Sequence, residues 1–215
     1  MSLEQKISDS LTEKLNLDSD THQIIHYSLH LLFSTITGLV FIIIAALLIK
    51  TVPQTLLAAF SAALIRSFSG GAHCSSPLRC SLSGAIIFPL LGLMVRVINS
   101  RVNDLSIIIL LAVLTCYALI NFYKWSPADS PGKPISTIGQ RTTLRRFTFI
   151  FTILITLVSF ITFSLEDQVL GKTIPISLIL GMAWQGFSVS PAGYIFTHWL
   201  DQILKMGKKH QERGV

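Results

Sequence analysis

Fifteen consecutive positions, from Arg66 to Cys80, bring together several side chains that could do covalent chemistry. They hold one histidine, two cysteines, two arginines and a pair of adjacent glycines. A cysteine attacks a carbonyl carbon only as the thiolate, and a nearby imidazole can remove the thiol proton and later give it to a leaving amine. His73 and Cys80 therefore predict nucleophilic cleavage of a peptide bond through a thioester.

His73 and Cys80 can meet only if the chain turns between them, because seven residues of continuous helix would separate them by roughly 10 Å. Ser76 and Pro77 suit the N-cap and the first position of a helix. We therefore expect a helix from Pro77 to about Ile98, with Cys80 in its first turn. The positive end of the helix dipole favours a thiolate at that position.

Four residues around this pair could support the chemistry. Gly70 and Gly71 allow a positive φ or a close approach of backbone to substrate, and free N–H groups there could bind an oxyanion. Arg66 and Arg79 could stabilise a thiolate by their charge. We interpret Arg66, Gly70 and Gly71 as loop organisers or oxyanion donors.

Two other cysteines compete with Cys80 for the role of nucleophile. Cys74 lies before the expected helix start and lacks the help of the dipole, so we favour Cys80. Cys116 lies within an apolar run and is most simply a small buried residue. A third group that orients the imidazole cannot be identified from the sequence, and Asp129 and Gln54 are the candidates.

Metal binding is the alternative for this cluster. A structural zinc ion on His73, Cys74 and Cys80 would need a fourth ligand. Three histidines spaced by four residues near the N-terminus could also share a helix face and bind a metal. They are His22, His26 and His30. We favour an interpretation without metal or cofactor.

The composition shows the environment in which this chemistry would take place. Hydrophobic residues make up 51% of the chain, charged residues only 13%, and the mean hydropathy is +0.62. A water-soluble domain of this size would not stay soluble with that profile, so lipid must surround most of the chain. The apolar runs begin only near residue 29, so we expect no cleavable signal peptide.

The charge pattern and the cysteine content exclude two other classes of protein. The net charge is +6, but the basic residues fall between apolar runs and form no continuous stripe, so we exclude nucleic-acid binding. Three cysteines do not make a secreted disulfide framework. Free thiols fit the reducing, cytoplasmic side of a membrane.

We therefore expect an all-α, polytopic integral membrane protein with about six transmembrane helices. Residues 1–28 are polar with helical periodicity and predict an amphipathic interfacial helix. Residues 29–204 would form the transmembrane peptidase domain, and residues 205–215 a basic cytoplasmic tail. The six apolar segments run approximately from Leu29 to Ile49, Thr51 to Ile65, Pro77 to Ile98, Leu105 to Phe122, Phe147 to Leu165 and Ile174 to Trp199.

The positive-inside rule predicts the orientation of these segments. With six spans and the N-terminus inside, 13 of the 17 Lys and Arg residues lie on the cytoplasmic side. The loop that holds His73 then faces the cytoplasm of a bacterial cell.

The motif resembles that of one known family. The spacing Arg-x4-Gly-x-His-x6-Cys, formed by Arg66, Gly71, His73 and Cys80, closely resembles the accessory gene regulator B (AgrB) family of membrane cysteine endopeptidases. The resemblance covers essentially the full chain. It implies that His73 and Cys80 are the catalytic pair, that Arg66 and Gly71 are needed for processing, and that the enzyme is a homodimer.

The same resemblance implies the substrate, an AgrD-like quorum-sensing propeptide. Such a peptide has an amphipathic N-terminal helix, a central autoinducer segment and an acidic C-terminal tail. The enzyme would cleave before the tail, hold the peptide as a thioester, and lead to a cyclic thiolactone or lactone. We hypothesise that the densest positive cluster on the chain binds the acidic tail. It consists of Lys133, Arg141, Arg145 and Arg146.

A second hypothesis belongs to a different functional class. A six-helix membrane body could export or bind a peptide without cleaving it. In that case a substitution of Cys80 would be nearly silent, whereas it would abolish cleavage by a protease.

Overall fold

A computed structural model of the chain describes residues 3–15, 18–129, 135–164 and 170–211. Every regular element within these ranges is an α-helix, which confirms the all-α prediction. The described helices are α1 (Leu3–Leu15), α2 (Ser19–Leu48), α3 (Val52–Ser69), α4 (Pro77–Arg101), α5 (Asp104–Trp125), α6 (Ile138–Ser164), α7 (Leu170–Ser188) and α8 (Pro191–Gln211).

Four helices in the described ranges are long and apolar enough to cross a membrane, namely α2, α4, α5 and α6. Helices α7 and α8 would add a fifth span if the pair were counted as one, although the two are bent by 89° at their junction. By length and composition the described chain thus has four or five spans, where the sequence predicts six.

The segment from Ile174 to Trp199, predicted as one span, is not one continuous helix. Helix α7 ends at Ser188 and α8 begins at Pro191. Proline has no backbone N–H to donate and disfavours helical geometry in the residue before it, so one helix ends here and another begins. Helix α8 therefore leaves the bundle at almost a right angle.

The second predicted segment corresponds to α3, which has 18 residues and carries Arg66 in its last turn. Near its start, Thr55 lies against Gly92 in the second half of α4. Near its end, Arg66 donates a hydrogen bond to Ser188, the last residue of α7. Helix α3 therefore runs through the bundle from one end to the other, although with 18 residues it is shorter than its neighbours.

The helix connections gather at two opposite ends of the bundle. At one end, the start of α5 and the start of α7 meet, and Lys172 pairs with Asp104. At the other end, three connections are joined by backbone hydrogen bonds. We call this second end the loop end, and define it by residues 70–76, 126–129 and 189–190.

Helix α7 lies at the centre and packs against α3, α4, α5 and α6. Most of its side chains are buried, as expected for a helix that is apolar on all sides. Its closest neighbour is α3, where the Ser61 hydroxyl donates to the Leu178 carbonyl at 2.7 Å and Gly181 rests on the backbone of Ala58. Small residues permit this close approach between membrane helices.

The predicted N-terminal and C-terminal boundaries both fall inside helices. Within residues 1–28, the described residues belong to α1, to the cap at Asp18 and to the first part of α2, and α2 continues without a break past residue 28. The Asp18 side chain caps α2, and His22 of α2 contacts Asp9 of α1 at 2.9 Å. Helix α8 likewise continues past residue 204 to Gln211.

Replacing Gly181 with alanine tests the contact between α3 and α7. The new methyl group would overlap the carbonyl oxygen of Ala58, which is backbone and cannot rotate away. We expect Gly181→Ala to lower the free energy of unfolding by about 1–3 kcal/mol. Gly139→Ala is the matched control, because nothing lies within 4 Å of a Cβ there. Thermal unfolding in detergent measures the stability of both variants. An equal loss of stability in the two would contradict the close contact between Gly181 and Ala58.

Candidate active site

The loop of residues 70–76 joins α3 to α4 and begins with two glycines in conformations that other residues rarely adopt. The φ angles are +66° at Gly70 and +137° at Gly71. A Cβ at Gly70 would overlap the carbonyl oxygen of Ala128, and one at Gly71 would lie 2.9 Å from the Ser188 hydroxyl. Both the conformation and the lack of space therefore require glycine at these two positions.

The end of α7 holds this loop in place. The backbone N–H of Ala72 donates to the Ser188 carbonyl at 3.0 Å. The buried amide of Gln185 donates to the Gly70 carbonyl at 2.7 Å and to the Ser69 hydroxyl at 2.8 Å. Sequence analysis did not identify Gln185 or Ser188. The available signal was a long polar side chain in an otherwise apolar helix, since such residues inside membranes are costly and usually have a specific partner.

Arg66 connects the loop to α7 and to the histidine. Its guanidinium donates to the Ser188 hydroxyl at 3.0 Å and to the Ala72 carbonyl. It also lies 3.2 Å from Nδ1 of His73. A guanidinium can only donate, so Nδ1 must accept, and the neutral imidazole carries its proton on Nε2. Arg66 is thus the group that orients the imidazole.

Of the two candidates that the sequence suggested for this orienting role, Gln54 lies far from the imidazole, and Asp129 belongs to the loop end. Gln54 precedes Arg66 by more than three helical turns of α3, about 18 Å along the helix axis. Asp129 accepts a hydrogen bond from the backbone N–H of Ile135 at 3.2 Å. The side chain that contacts the imidazole is Arg66, at the end of α3. The turn at the two glycines brings this helix end and His73 together.

The predicted turn between His73 and Cys80 is present. Helix α4 begins at Pro77 with Ser76 as its N-cap, and the Cys80 N–H donates to the Ser76 carbonyl at 3.0 Å, which places Cys80 in the first turn. The Cys80 sulfur lies within hydrogen-bonding reach of the His73 side chain. The positive charge of Arg66 is also close enough to interact with it.

Cys74 belongs to the same cluster, but its surroundings keep it protonated. Its thiol shares a hydrogen bond with the Cys80 sulfur, and this bond, together with burial, raises the pKa of Cys74. It also lies 3.4 Å from the Ser83 hydroxyl. Ser83 donates its own proton to the Arg79 carbonyl at 2.8 Å, and the single proton of the Cys74 thiol is directed to the Cys80 sulfur. Cys74 is therefore placed as a hydrogen-bond donor.

Cys116 is exposed on α5, so its predicted burial is wrong. Cys116 lies on the face of α5 that points away from the bundle, where lipid takes the place of a protein core. Within the described residues, no group of three or more His, Cys, Asp or Glu side chains is arranged to hold a metal ion, including the cluster at His73 and the histidines of α2.

Arg79 is held by an acid of α8 and by the loop. Its Nε donates to the carboxylate of Asp201 in α8 at 2.7 Å, and its Nη2 donates to the Ser75 hydroxyl at 2.6 Å. The Ser75 hydroxyl in turn donates to Asp201 at 2.6 Å. Sequence analysis did not identify Asp201, because the acid lies more than 120 residues from its partners.

The hypothetical tail-binding cluster lies at the loop end of α6, except for Lys133, which is outside the described residues. Arg141 and Arg146 are exposed. Arg145 donates to the Tyr123 carbonyl at 2.6 Å and lies over the tyrosine ring, 5.0 Å from its centroid. Arg145 is thus engaged within the protein, whereas Arg141 and Arg146 present their charges to solvent.

Comparison with known proteins agrees with this arrangement. Residues 4–189 match the family described as accessory gene regulator B. The chain is 29% identical over 205 residues to an AgrB-like protein of Clostridium perfringens strain SM101, an alignment that covers 94% of this chain and 96% of the relative. It is 26% identical over 201 residues to AgrB-like protein 2 of C. perfringens strain 13, covering 92% and 94%. No solved structure matches.

The match extends over almost the whole membrane bundle and includes the loop with His73 and Cys80. The chain therefore belongs to the accessory gene regulator B family, whose members act in the processing step of accessory gene regulator quorum sensing.

Proposed function

We propose that this chain is a membrane cysteine endopeptidase that removes the acidic tail of an AgrD-like propeptide at the cytoplasmic face. The observation that carries the proposal is the contact between the His73 imidazole and the Cys80 sulfur at the start of α4, beside the charge of Arg66. A thiol, an imidazole and a cation in contact are the parts that peptide cleavage through a thioester requires.

Cys80 serves as the nucleophile. Its thiolate attacks the carbonyl carbon of the scissile bond, the C–N bond breaks, and the tail leaves as an amine that takes up a proton. The helix dipole at the start of α4 and the charge of Arg66 stabilise the thiolate. A thiol or hydroxyl of the bound peptide then attacks the thioester, which closes the ring and regenerates Cys80.

His73 transfers the proton that the Cys80 thiol loses and the leaving amine gains. Its Nε2–H points away from Arg66 in the neutral ring and is available to the reacting atoms. The ring can take up a second proton only at Nδ1, which Arg66 occupies in this structure. We therefore expect Arg66 to shift from Nδ1 towards the substrate carbonyl as the peptide binds, so that it frees His73 and stabilises the oxyanion.

Cytoplasmic orientation of the loop end is supported by the distribution of charge. The basic residues of the described loop end and its adjoining helix ends are Arg66, Arg79, Lys124, Arg141, Arg145, Arg146 and Lys205. The opposite end has fewer, namely Lys50, Arg96, Arg101 and Lys172. The exposed arginines at the loop end would attract an acidic tail, and family membership supports both the propeptide and a homodimeric enzyme.

Replacing each thiol separately tests the assignment of the nucleophile. Cys80→Ser should lower cleavage of an AgrD-like propeptide by at least about 10³-fold while the peptide still binds, because serine is far less ionised at neutral pH. Cys74→Ser keeps a hydrogen-bond donor and should lose less than about tenfold. Cleavage by proteoliposomes is followed by mass spectrometry. Unchanged cleavage by Cys80→Ser would show that Cys80 is not the nucleophile, and a lack of cleavage by the unsubstituted protein would support a non-proteolytic exporter or receptor.

The pH dependence of alkylation tests the role of Cys74 as a donor. Because its pKa is raised, Cys74 holds its proton through neutral pH and forms a thiolate only above the usual range for cysteine. We expect its reaction with iodoacetamide to accelerate about tenfold per pH unit between pH 7 and 9 without a plateau. Peptide mapping of singly modified protein gives the rate. A plateau below pH 8 would show that Cys74 ionises readily, contrary to the donor role.

Charge reversal at the exposed arginines tests tail binding. Arg141→Glu with Arg146→Glu should raise KM for the propeptide about tenfold, equivalent to about 1.4 kcal/mol, and should weaken the dependence of KM on salt. The value of kcat should change little, because neither side chain contacts the reacting atoms. Arg96→Glu with Arg101→Glu is the matched control at the opposite end. Equal KM values for the two double variants would remove the tail-binding role.

A further inference from the structure

Helix α8 carries a buried carboxylate that the proposed reaction does not use directly. Asp201 is only 4% exposed and forms an ion pair with Arg79 at 2.7 Å. It also accepts hydrogen bonds from the hydroxyl of Ser75 at 2.6 Å and from the Ser75 N–H at 3.3 Å. A buried charge is tolerated only when it is paired and fully hydrogen-bonded, so these contacts specify where α8 sits.

The two partners of Asp201 are the chain neighbours of the two thiols. Ser75 directly follows Cys74, and Arg79 directly precedes Cys80. The carboxylate therefore spans the turn at Ser76, with two bonds to Ser75 before the helix start and one to Arg79 after it. Movement of Asp201 would shift both sides of the turn at once.

Helix α4 has no other side-chain cap at this end. Ser76 occupies the N-cap position but makes no side-chain hydrogen bond to the helix, and no acidic residue lies in the first turn. Exposed N–H groups at a helix start need an acceptor and favour a nearby negative charge. Asp201 supplies the negative charge from a different helix, and it also accepts from the Ser75 N–H just before the cap.

Helix α8 is held against the bundle independently of this carboxylate. At its start, the ring of Phe196 packs against Trp184 and Phe187 of α7, with centroid separations of 5.9 Å and 5.7 Å. The aromatic contacts place the beginning of α8, and Asp201 then joins its next turns to the catalytic loop. A variant that loses only the carboxylate should therefore keep α8 in place and fold.

We propose that Asp201 is a positioning residue, which holds the turn between Ser75 and Arg79 so that the Cys80 sulfur stays in contact with His73. The family match ends at residue 189, before α8 begins, so this role is not part of the matched motif. The expected effect of Asp201 on catalysis rests on the proposed function. The expected effect of Asp201 on the reactivity of Cys80 does not depend on that function.

Asp201→Asn is the test, with two measurements on detergent-purified full-length protein. The first is cleavage of an AgrD-like propeptide, for which we expect kcat to fall about 10–100-fold while KM stays within about twofold. The second is the rate of Cys80 alkylation by iodoacetamide from pH 5 to 9. We expect its half-maximal pH to rise, because the sulfur loses contact with its hydrogen-bond donors.

The direction of that second change separates positioning from simple electrostatics. Removing a nearby negative charge without moving the loop would make the thiolate easier to form and would lower the half-maximal pH. Asp201→Glu keeps the charge and should recover part of both readouts. Asp104→Asn is the matched control, since it removes a carboxylate from the Lys172 ion pair at the opposite end of the bundle and should change neither readout.

Two results would overturn the proposal. One is an unchanged kcat per folded molecule together with an unchanged alkylation profile in Asp201→Asn. The other is a fall in the half-maximal pH, which would reduce Asp201 to a source of charge. If wild-type protein fails to cleave any propeptide, the proposed function fails, and the alkylation profile still decides the role of Asp201. If Asp201→Asn does not fold, Ser75→Ala removes the two hydroxyl bonds of the same network, keeps the ion pair with Arg79, and is measured in the same way.

Discussion

The arrangement of the candidate site depends on satisfying one charged side chain at the end of an apolar helix. Arg66 lies in the last turn of α3, where the bundle offers little water, and a guanidinium there needs acceptors for its N–H groups. It finds them in the Ser188 hydroxyl, the Ala72 carbonyl and the His73 ring. The loop must therefore fold back over the end of α7, and the imidazole is delivered to its place by the same bonds.

The close contact between α3 and α7 makes this possible. Gly181 and Ser61 bring the two helices together at their crossing, and the ends of both helices then lie side by side at the loop end. Gln185 and Ser188 reach the loop only because of that approach. Packing in the middle of the bundle thus sets the geometry of a site at its edge, since helices transmit position along their length.

The turn before Cys80 has anchors on two sides. Arg66 and the end of α7 hold its first half through Ala72 and His73. Asp201 of α8 holds its second half through Ser75 and Arg79. The near-perpendicular break between α7 and α8 is what permits this arrangement, because a single straight span from Ile174 to Trp199 would have carried Asp201 away from the loop. Helices α7 and α8, which follow each other in the chain, therefore hold the turn from both sides.

The sequence alone determined the membrane character and the all-α class, and it identified His73 and Cys80 as the candidate catalytic pair. Apolar runs and the charge pattern are local properties, and the spacing from His73 to Cys80, with Ser76 and Pro77 between them, specifies a turn by short-range sterics. The positive φ angles at Gly70 and Gly71 could likewise be expected, because glycine adopts such angles without strain.

Only the tertiary structure decided which groups surround that pair. Gln185, Ser188 and Asp201 lie more than 100 residues from their partners, so no local pattern relates them. Arg66 replaced Asp129 and Gln54 as the partner of the imidazole because helix packing, and not residue type, determines which side chain arrives there. The exposure of Cys116 and the break after α7 followed from the same cause. Hydropathy records whether a residue tolerates lipid, but packing determines whether lipid or protein lies beside it.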